Sequence, residues 1–202
     1  LHLSPLKEKA FRLPISKQEV NVIAMEEGQI TTKRLQVMLK RCGNFTGEKY
    51  PEYQKIAVIE RHKGSGKIGR GICQGYGIHG GAIASSVSHD SHNLIVIGDN
   101  DRDMCLAVNE LIRLQGGFVL VQGGKVYDSL ALPIMGLMCD CGFIEANAHL
   151  ENMKQKAHEM GVPGGMDPFI SLSFLALPVI PEIRITPRGL CLVQNGRPRL
   201  IQ

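Results

Sequence analysis

The chain has 202 residues, 44% of them hydrophobic, only 5% aromatic, no Trp, and a formal charge of +4. That is enough for one sizeable domain, or a domain with a flanking arm, whose core must come from Val, Ile, Leu, Ala and Met. The 23 Gly argue for turns and strands rather than a helical bundle, and no apolar run approaches the ~20 residues that span a bilayer.

The first segment does not read as a signal peptide, because Lys7, Glu8, Lys9 and Arg12 break its apolar character. Together with the lack of a membrane segment, this gives a soluble, cytoplasmic expectation. Residues 1–50 read as an arm or linker, punctuated by Pro5, Pro14, Gly28 and Gly43. Within it, residues 20–24 and 30–32 read as short strands around a turn at 26–29. Residues 51–202 read as the domain proper.

In that domain, residues 55–62 predict a strand and the Gly-rich stretch 69–77 a second strand or a wide turn. Residues 81–87 and 94–97 predict strands flanking a polar cluster. Residues 101–115 predict a helix, since Met104, Ala107, Val108, Leu111 and Leu114 share one face. Asp99, Asn100 or Asp101 can cap it, and Gly116-Gly117 can stop it in a left-handed conformation. Residues 118–122 and 125–130 predict a hairpin around Gly123-Gly124. A second helix is expected over 145–160, where Ala146, Leu150, Met153, Ala157 and Met160 form a stripe that Gly161 ends. Residues 169–177 are a last apolar run before a Pro-rich stretch. Hairpins interspersed with helices, without strict βαβ alternation, predict an α+β fold. Its sheet is expected to be largely antiparallel or mixed, with two main helices packed on it.

Charge is uneven: residues 1–70 hold 14 Lys+Arg against 7 Asp+Glu, and the remainder 9 against 12. A basic first third can signal nucleic acid, but its charges are dispersed and Phe11, Phe45, Tyr50 and Tyr53 form no RNA-binding motif. A solvated face, or one docking an acidic neighbour, is the reading taken. The six Cys sit mostly in apolar surroundings, the habit of buried free thiols in a reducing compartment. Cys139 and Cys141 lack the second Cys/His pair of a zinc-finger spacing.

Three motifs need weighing. Gly64-Ser65-Gly66-Lys67-Ile68-Gly69 matches a dinucleotide-binding pattern, yet residues 70–77 are too Gly-rich for the helix that pattern requires. It reads as a flexible basic turn where Lys63, Lys67 and Arg70 can meet an anion. The acidic run at 99–103 imitates a calcium loop, but Met104 stands where a sharp-turn Gly belongs, so it reads as a helix cap. The run at 85–98 concentrates four Ser, Asp90, Asn93 and two His before a strand. His89 and His92 share a face only on a helix, and on a strand they point apart. The stretch is either a polar turn in which Asp90 or Asn93 satisfies backbone donors, or a site containing His89, Asp90, His92 and Asn93. Ser88, His89 and Asp90 are too close in sequence to be assumed a hydrolytic triad. Glu60-Arg61-His62 is a strand-end ion pair or part of the same pocket, which makes Glu60, His62 and Ser88 substrate-binding candidates.

Several blocks in order carry a family resemblance: residues 56–62 (IAVIERH), 88–93, 133–138, and 167–181 with its Asp167-Pro168-Phe169. The chain resembles the C-terminal domain of bacterial-type adenine deaminase, of the amidohydrolase superfamily, from about residue 11 to 190. The tail after Leu190 fits that pattern poorly. The resemblance implies hydrolysis of adenine to hypoxanthine and ammonia, in purine salvage or adenine catabolism. The attacking water would be activated by a pair of divalent metals, manganese or iron, in a barrel domain. That barrel's His-x-His motif is absent here, and 202 residues cannot hold a (β/α)₈ barrel beside this domain. The expectation is therefore a fragment of a longer protein, beginning at Leu1 without Met, with no metal and no deaminase activity of its own. Its implied partners are the barrel of the same polypeptide, adenine, and further copies in a homo-oligomer, with neither nucleic acid nor membrane. The alternative is a stand-alone structural or ligand-binding module without catalytic activity.

Overall fold

The computed structural model describes residues 1–201; Gln202, the last residue of the tail, lies outside the described residues. The first strands are β1 (Glu19–Met25), β2 (Thr32–Met38), β3 (Tyr53–Ile59), β4 (Ile68–Gln74), β5 (Gly81–Ser85) and β6 (Leu94–Gly98). Helix α1 (Asp101–Leu114) leads into the hairpin β7 (Gly117–Gln122) and β8 (Lys125–Ala131). Next come helices α2 (Phe143–Glu159) and α3 (Pro168–Phe174), then β9 (Ile183–Thr186), β10 (Gly189–Gln194) and β11 (Arg197–Leu200).

Eight strands form one sheet in the order β2-β1-β4-β3-β6-β5-β7-β8, and β9–β11 form a second, small sheet. Within the large sheet every pairing is antiparallel except β1 with β4, so it is mixed. This is the α+β fold expected. Residues 1–50, read as an arm, supply β1 and β2 to the main sheet, and the small sheet is built from the C-terminal residues.

Period-2 alternation divides the core into two layers. On one face Ile56, Val58, Ile95, Ile97 and Leu120 meet Met153 and Ala157 of α2, Leu172 of α3, and Ile185 of β9. On the other, Ala57, Ile59, Val96 and Val121 meet Met104, Ala107, Val108 and Leu111 of α1, with Phe11 beside them. Strands β5 and β6 are buried along their whole length, hence apolar but for Ser85 rather than alternating.

The Asn100 side chain caps α1, accepting from the Asp103 N–H at 2.8 Å. The left-handed residue that ends α1 is Gln115 (φ 60°), not the expected glycine pair. Gln115 donates its own Nε2–H to the Ile112 carbonyl. The strand expected at 30–32 begins instead at Thr32 and runs to Met38, in register with β1. Most thiols were expected to be buried, yet only Cys73 and Cys191 are; the other four are half-buried, and all six are free.

Asp101 does not take part in a calcium loop; its carboxylate pairs with the Lys55 ammonium. Lys55 projects from β3 with no exposed surface, and Asn44 bridges the pair, accepting from Lys55 at 3.0 Å and donating to Asp101 at 2.6 Å. Burial pushes the ammonium below its usual range and Asp101 opposes that shift. Removing one partner of such a pair leaves an uncompensated buried charge. Asp101→Asn is therefore expected to lower unfolding free energy in urea by about 3–5 kcal/mol. A loss well under ~1 kcal/mol would mean that Lys55 is held by its neutral contacts instead.

Candidate functional site

The polar cluster folds as a turn between β5 and β6, and one hydroxyl anchors it. Ser86 Oγ accepts from the Gly117 N–H at 2.7 Å and donates to the Gly136 carbonyl at 2.6 Å. It thereby joins the end of β5, the start of β7 and the loop before α2. The turn itself is closed by the His92 N–H donating to the Ser88 carbonyl at 2.6 Å, with His92 left-handed at φ 49°. Neither helix nor strand runs through 89–92, so the spacing rules for those elements do not apply to the two imidazoles.

Glu60, Arg61 and His62 do not form a strand-end ion pair. Glu60 turns toward the β3–β4 turn, where its carboxylate accepts from the backbone N–H groups of His62, Lys63 (2.8 Å) and Ser65 (3.0 Å) and from Ser65 Oγ (2.8 Å). This ties down a turn that the sequence suggested was flexible. Gly69, the last glycine of the dinucleotide-like pattern, has a packing role: a Cβ there would lie 1.8 Å from the Thr186 carbonyl oxygen. The pattern continues as β4, without the helix that nucleotide binding by that motif requires.

Arg61 and His62 turn toward the 88–93 turn. Arg61 is 7% exposed and has no carboxylate partner among the described residues. Its Nε donates to the His92 carbonyl, its Nη2 to the Met135 carbonyl at 2.9 Å, and its backbone N–H to Asn93 Oδ1 at 3.2 Å. Gly136 makes room for the guanidinium, since a Cβ there would lie 2.5 Å from Nη1. His62 Nε2–H donates to the Ser91 carbonyl at 2.7 Å. Asn93 thus satisfies a backbone donor, whereas the exposed Asp90 carboxylate makes no hydrogen bond or ion pair among the described residues.

The His89 ring lies 5.0 Å from Phe174 of α3 and 6.1 Å, edge to face, from His92. Burial depresses the His92 pKa, and the neighbouring His89 and Arg61 add to this, so the ring is neutral near pH 7. Its Nδ1 is buried and has no hydrogen-bond partner, and neither has Ser88 Oγ. With its hydroxyl unpartnered, Ser88 is not linked to His89 and Asp90 as a hydrolytic triad. Among the described residues no three His, Cys, Asp or Glu side chains converge to hold a metal ion.

Arg61, His62 and His92 open into a hollow of about 360 Å³ walled by Pro133, Met135 and Leu137. Met135 on its wall is 76% exposed, and Phe143 and Ile144 at the start of α2 are 83% and 84% exposed. The hollow offers a buried cation and a neutral imidazole beside apolar walls. Arg61 and Gly136 were not singled out from sequence as a pair. An Arg closing an apolar strand was the available signal, since a long cation there must snorkel or find internal acceptors.

Residues 29–197 match the adenine deaminase C-terminal domain. The chain belongs to that family. Its similarity to curated relatives runs along nearly all of it. A protein named adenine deaminase from Desulfitobacterium hafniense (strain Y51) is 48% identical over 94% of this chain. One from Bacillus subtilis (strain 168) is 42% identical over 93%, and adenine deaminase 2 of Carboxydothermus hydrogenoformans is 40% identical over 94%. The chain spans about a third of the length of these relatives. No helix among the described residues is long and apolar enough to cross a membrane.

Glu60 makes this region sensitive to acid. Its burial favours the neutral form, but the N–H groups of Ser65 and Lys63, the Ser65 hydroxyl and the His62 N–H outweigh that and hold its pKa down to about 2. A carboxyl depressed in the fold stabilises it above the unfolded pKa, and that contribution is lost as pH falls toward the folded one. Between pH 4.5 and about 2 the melting temperature of Glu60→Gln is expected to fall less steeply than that of the parent chain. Parallel curves in a thermal melt series would show that the carboxylate does not hold the turn.

Proposed function

We propose that this chain is the C-terminal part of an adenine deaminase, a cytoplasmic enzyme that hydrolyses adenine to hypoxanthine and ammonia in purine salvage or catabolism. The observation that carries this reading is the 40–48% identity to adenine deaminases across nearly the whole chain, over only a third of their length. The remaining two thirds of such a protein would supply the barrel and the reaction centre. The described residues assemble no metal site. In this reading the manganese or iron pair belongs to the barrel.

This chain's part is to complete the site from outside. The turn at 88–93 faces the barrel, with the apolar rim of Met135, Phe143 and Ile144 as the contact around it. Large exposed apolar patches mark such contacts. His92, which lines the hollow, is the residue of the turn that meets the barrel or adenine bound between the domains. Arg61 holds the His92 carbonyl and so fixes the direction of the ring. His89 packs on Phe174 and restricts the same turn.

Two measurements test the reading. The 202-residue chain, purified with manganese, is expected to release no ammonia from adenine, and to raise turnover when mixed with the separately expressed barrel. Turnover by the chain alone would overturn the division of labour. In the full-length protein, His92→Ala is expected to lower kcat/KM at least tenfold, about 1.4 kcal/mol of transition-state stabilisation, with little change in melting temperature. Unchanged kinetics for both His92→Ala and Ser88→Ala would remove the turn from the site.

A further inference from the structure

A second concavity lies on the other side of Glu60 and does not depend on the deaminase reading. It is a groove of about 470 Å³ between the β3–β4 turn and the small sheet, within the usual size of small-molecule sites. Its two walls differ in chemistry. One is apolar, formed by Pro187 after β9, Pro198 and Leu200 of β11, and Pro178. The other is cationic, with Lys63 and Lys67 of the turn and Arg188 of the β9–β10 connection among the lining residues.

None of the three cations makes an ion pair among the described residues. Glu60 is the one carboxylate among the residues lining the groove, and its two oxygens accept four hydrogen bonds from the turn itself. The backbone that carries the cations is held in place. Glu60 fastens the turn that carries Lys63 and Lys67, and Gly69 seats the β9–β10 connection directly on β4. Asn93, 6% exposed, also lines the groove.

A small anion would satisfy the cations but leave the proline wall in water. A neutral flat ring would cover the prolines but leave the cations unpaired. We infer that the groove binds a nucleoside monophosphate, its phosphate on Lys63, Lys67 and Arg188 and its base against Pro187 and Pro198. Charge-assisted hydrogen bonds from Lys and Arg suit the phosphate, and the flat base buries apolar area against the rigid rings. Nothing in the groove reads a particular base edge, so purine and pyrimidine nucleotides both fit and the larger ring binds more tightly.

Calorimetric titration of the 202-residue chain at low salt with AMP, adenosine and inorganic phosphate tests this. AMP is expected to bind at least tenfold more tightly than either fragment, and to weaken as salt rises. The double variant Lys63→Gln/Arg188→Gln is expected to weaken AMP at least tenfold at an unchanged melting temperature. If that variant melts early, amide chemical shifts of the parent chain decide instead, with AMP expected to move residues 186–188 and 63–67. The inference is overturned by absence of AMP binding at millimolar concentration, by phosphate binding as tightly as AMP, or by AMP shifts confined to other surfaces.

Discussion

Strand β3 sits near the middle of an eight-stranded sheet with apolar layers on both of its faces, and this double burial constrains the rest of the molecule. A sheet buried on one face can leave the other to water, but this one cannot. Helix α1 must cover the Ala57 and Ile59 face, and α2, α3 and the small sheet must cover the Ile56 and Val58 face. Polar chemistry is thereby driven off the faces and onto the strand ends. The one charge that remains inside β3, Lys55, is tolerated because α1 brings Asp101 to it from its first turn. The same contact fixes where α1 starts, and so where the β7–β8 hairpin returns to the sheet.

At the opposite end of β3 the chain again places a cation where water is scarce, with a different solution. Arg61 receives backbone carbonyls of His92 and Met135 instead of a carboxylate. Neutral acceptors satisfy its N–H groups without cancelling its charge. That leaves a positive centre beneath a hollow, and it helps keep the adjacent His92 neutral. The guanidinium that shapes the turn thus adds to the burial that keeps its imidazole neutral.

Much of this architecture was legible in the sequence because it is local. The 3.6-residue stripe of Met104, Ala107, Val108 and Leu111 is a property of α1 alone, and Gly123-Gly124 demands its hairpin wherever it stands. The C-terminal strands were less legible. Asn195-Gly196 is a strong two-residue hairpin signal, and both residues are left-handed in the structure, at φ 50° and 69°. The Pro-rich run before it hid β9, and Arg197 and Arg199 interrupt the apolar pattern of β11. Those arginines are tolerated because β11 is an edge strand exposed along its length. The site was legible in part. The composition of 85–98 marked the place, but not the direction of any side chain, because a left-handed His92 obeys neither helical nor strand periodicity. The roles of Arg61 and Gly136 were hidden because they meet across 75 residues of chain, through contacts that only the closed sheet creates.

Two deficits coincide at the 88–93 end of the sheet, and their coincidence carries more than either does alone. Buried polar atoms without partners cost about 1–3 kcal/mol each, and Ser88 Oγ and His92 Nδ1 are two of them within five residues of chain. Exposed apolar side chains are ordinary when scattered, but Met135 stands exposed on the wall of the hollow, and Phe143 and Ile144 follow it, exposed, at the start of α2. A surface that covered the hollow would also exclude water from it, and exclusion of water strengthens any hydrogen bond made there. A surface built only for stability would have filled the hollow with side chains and paired the serine internally. Unpaired polar atoms and an open hollow thus stand together at this one end of the sheet.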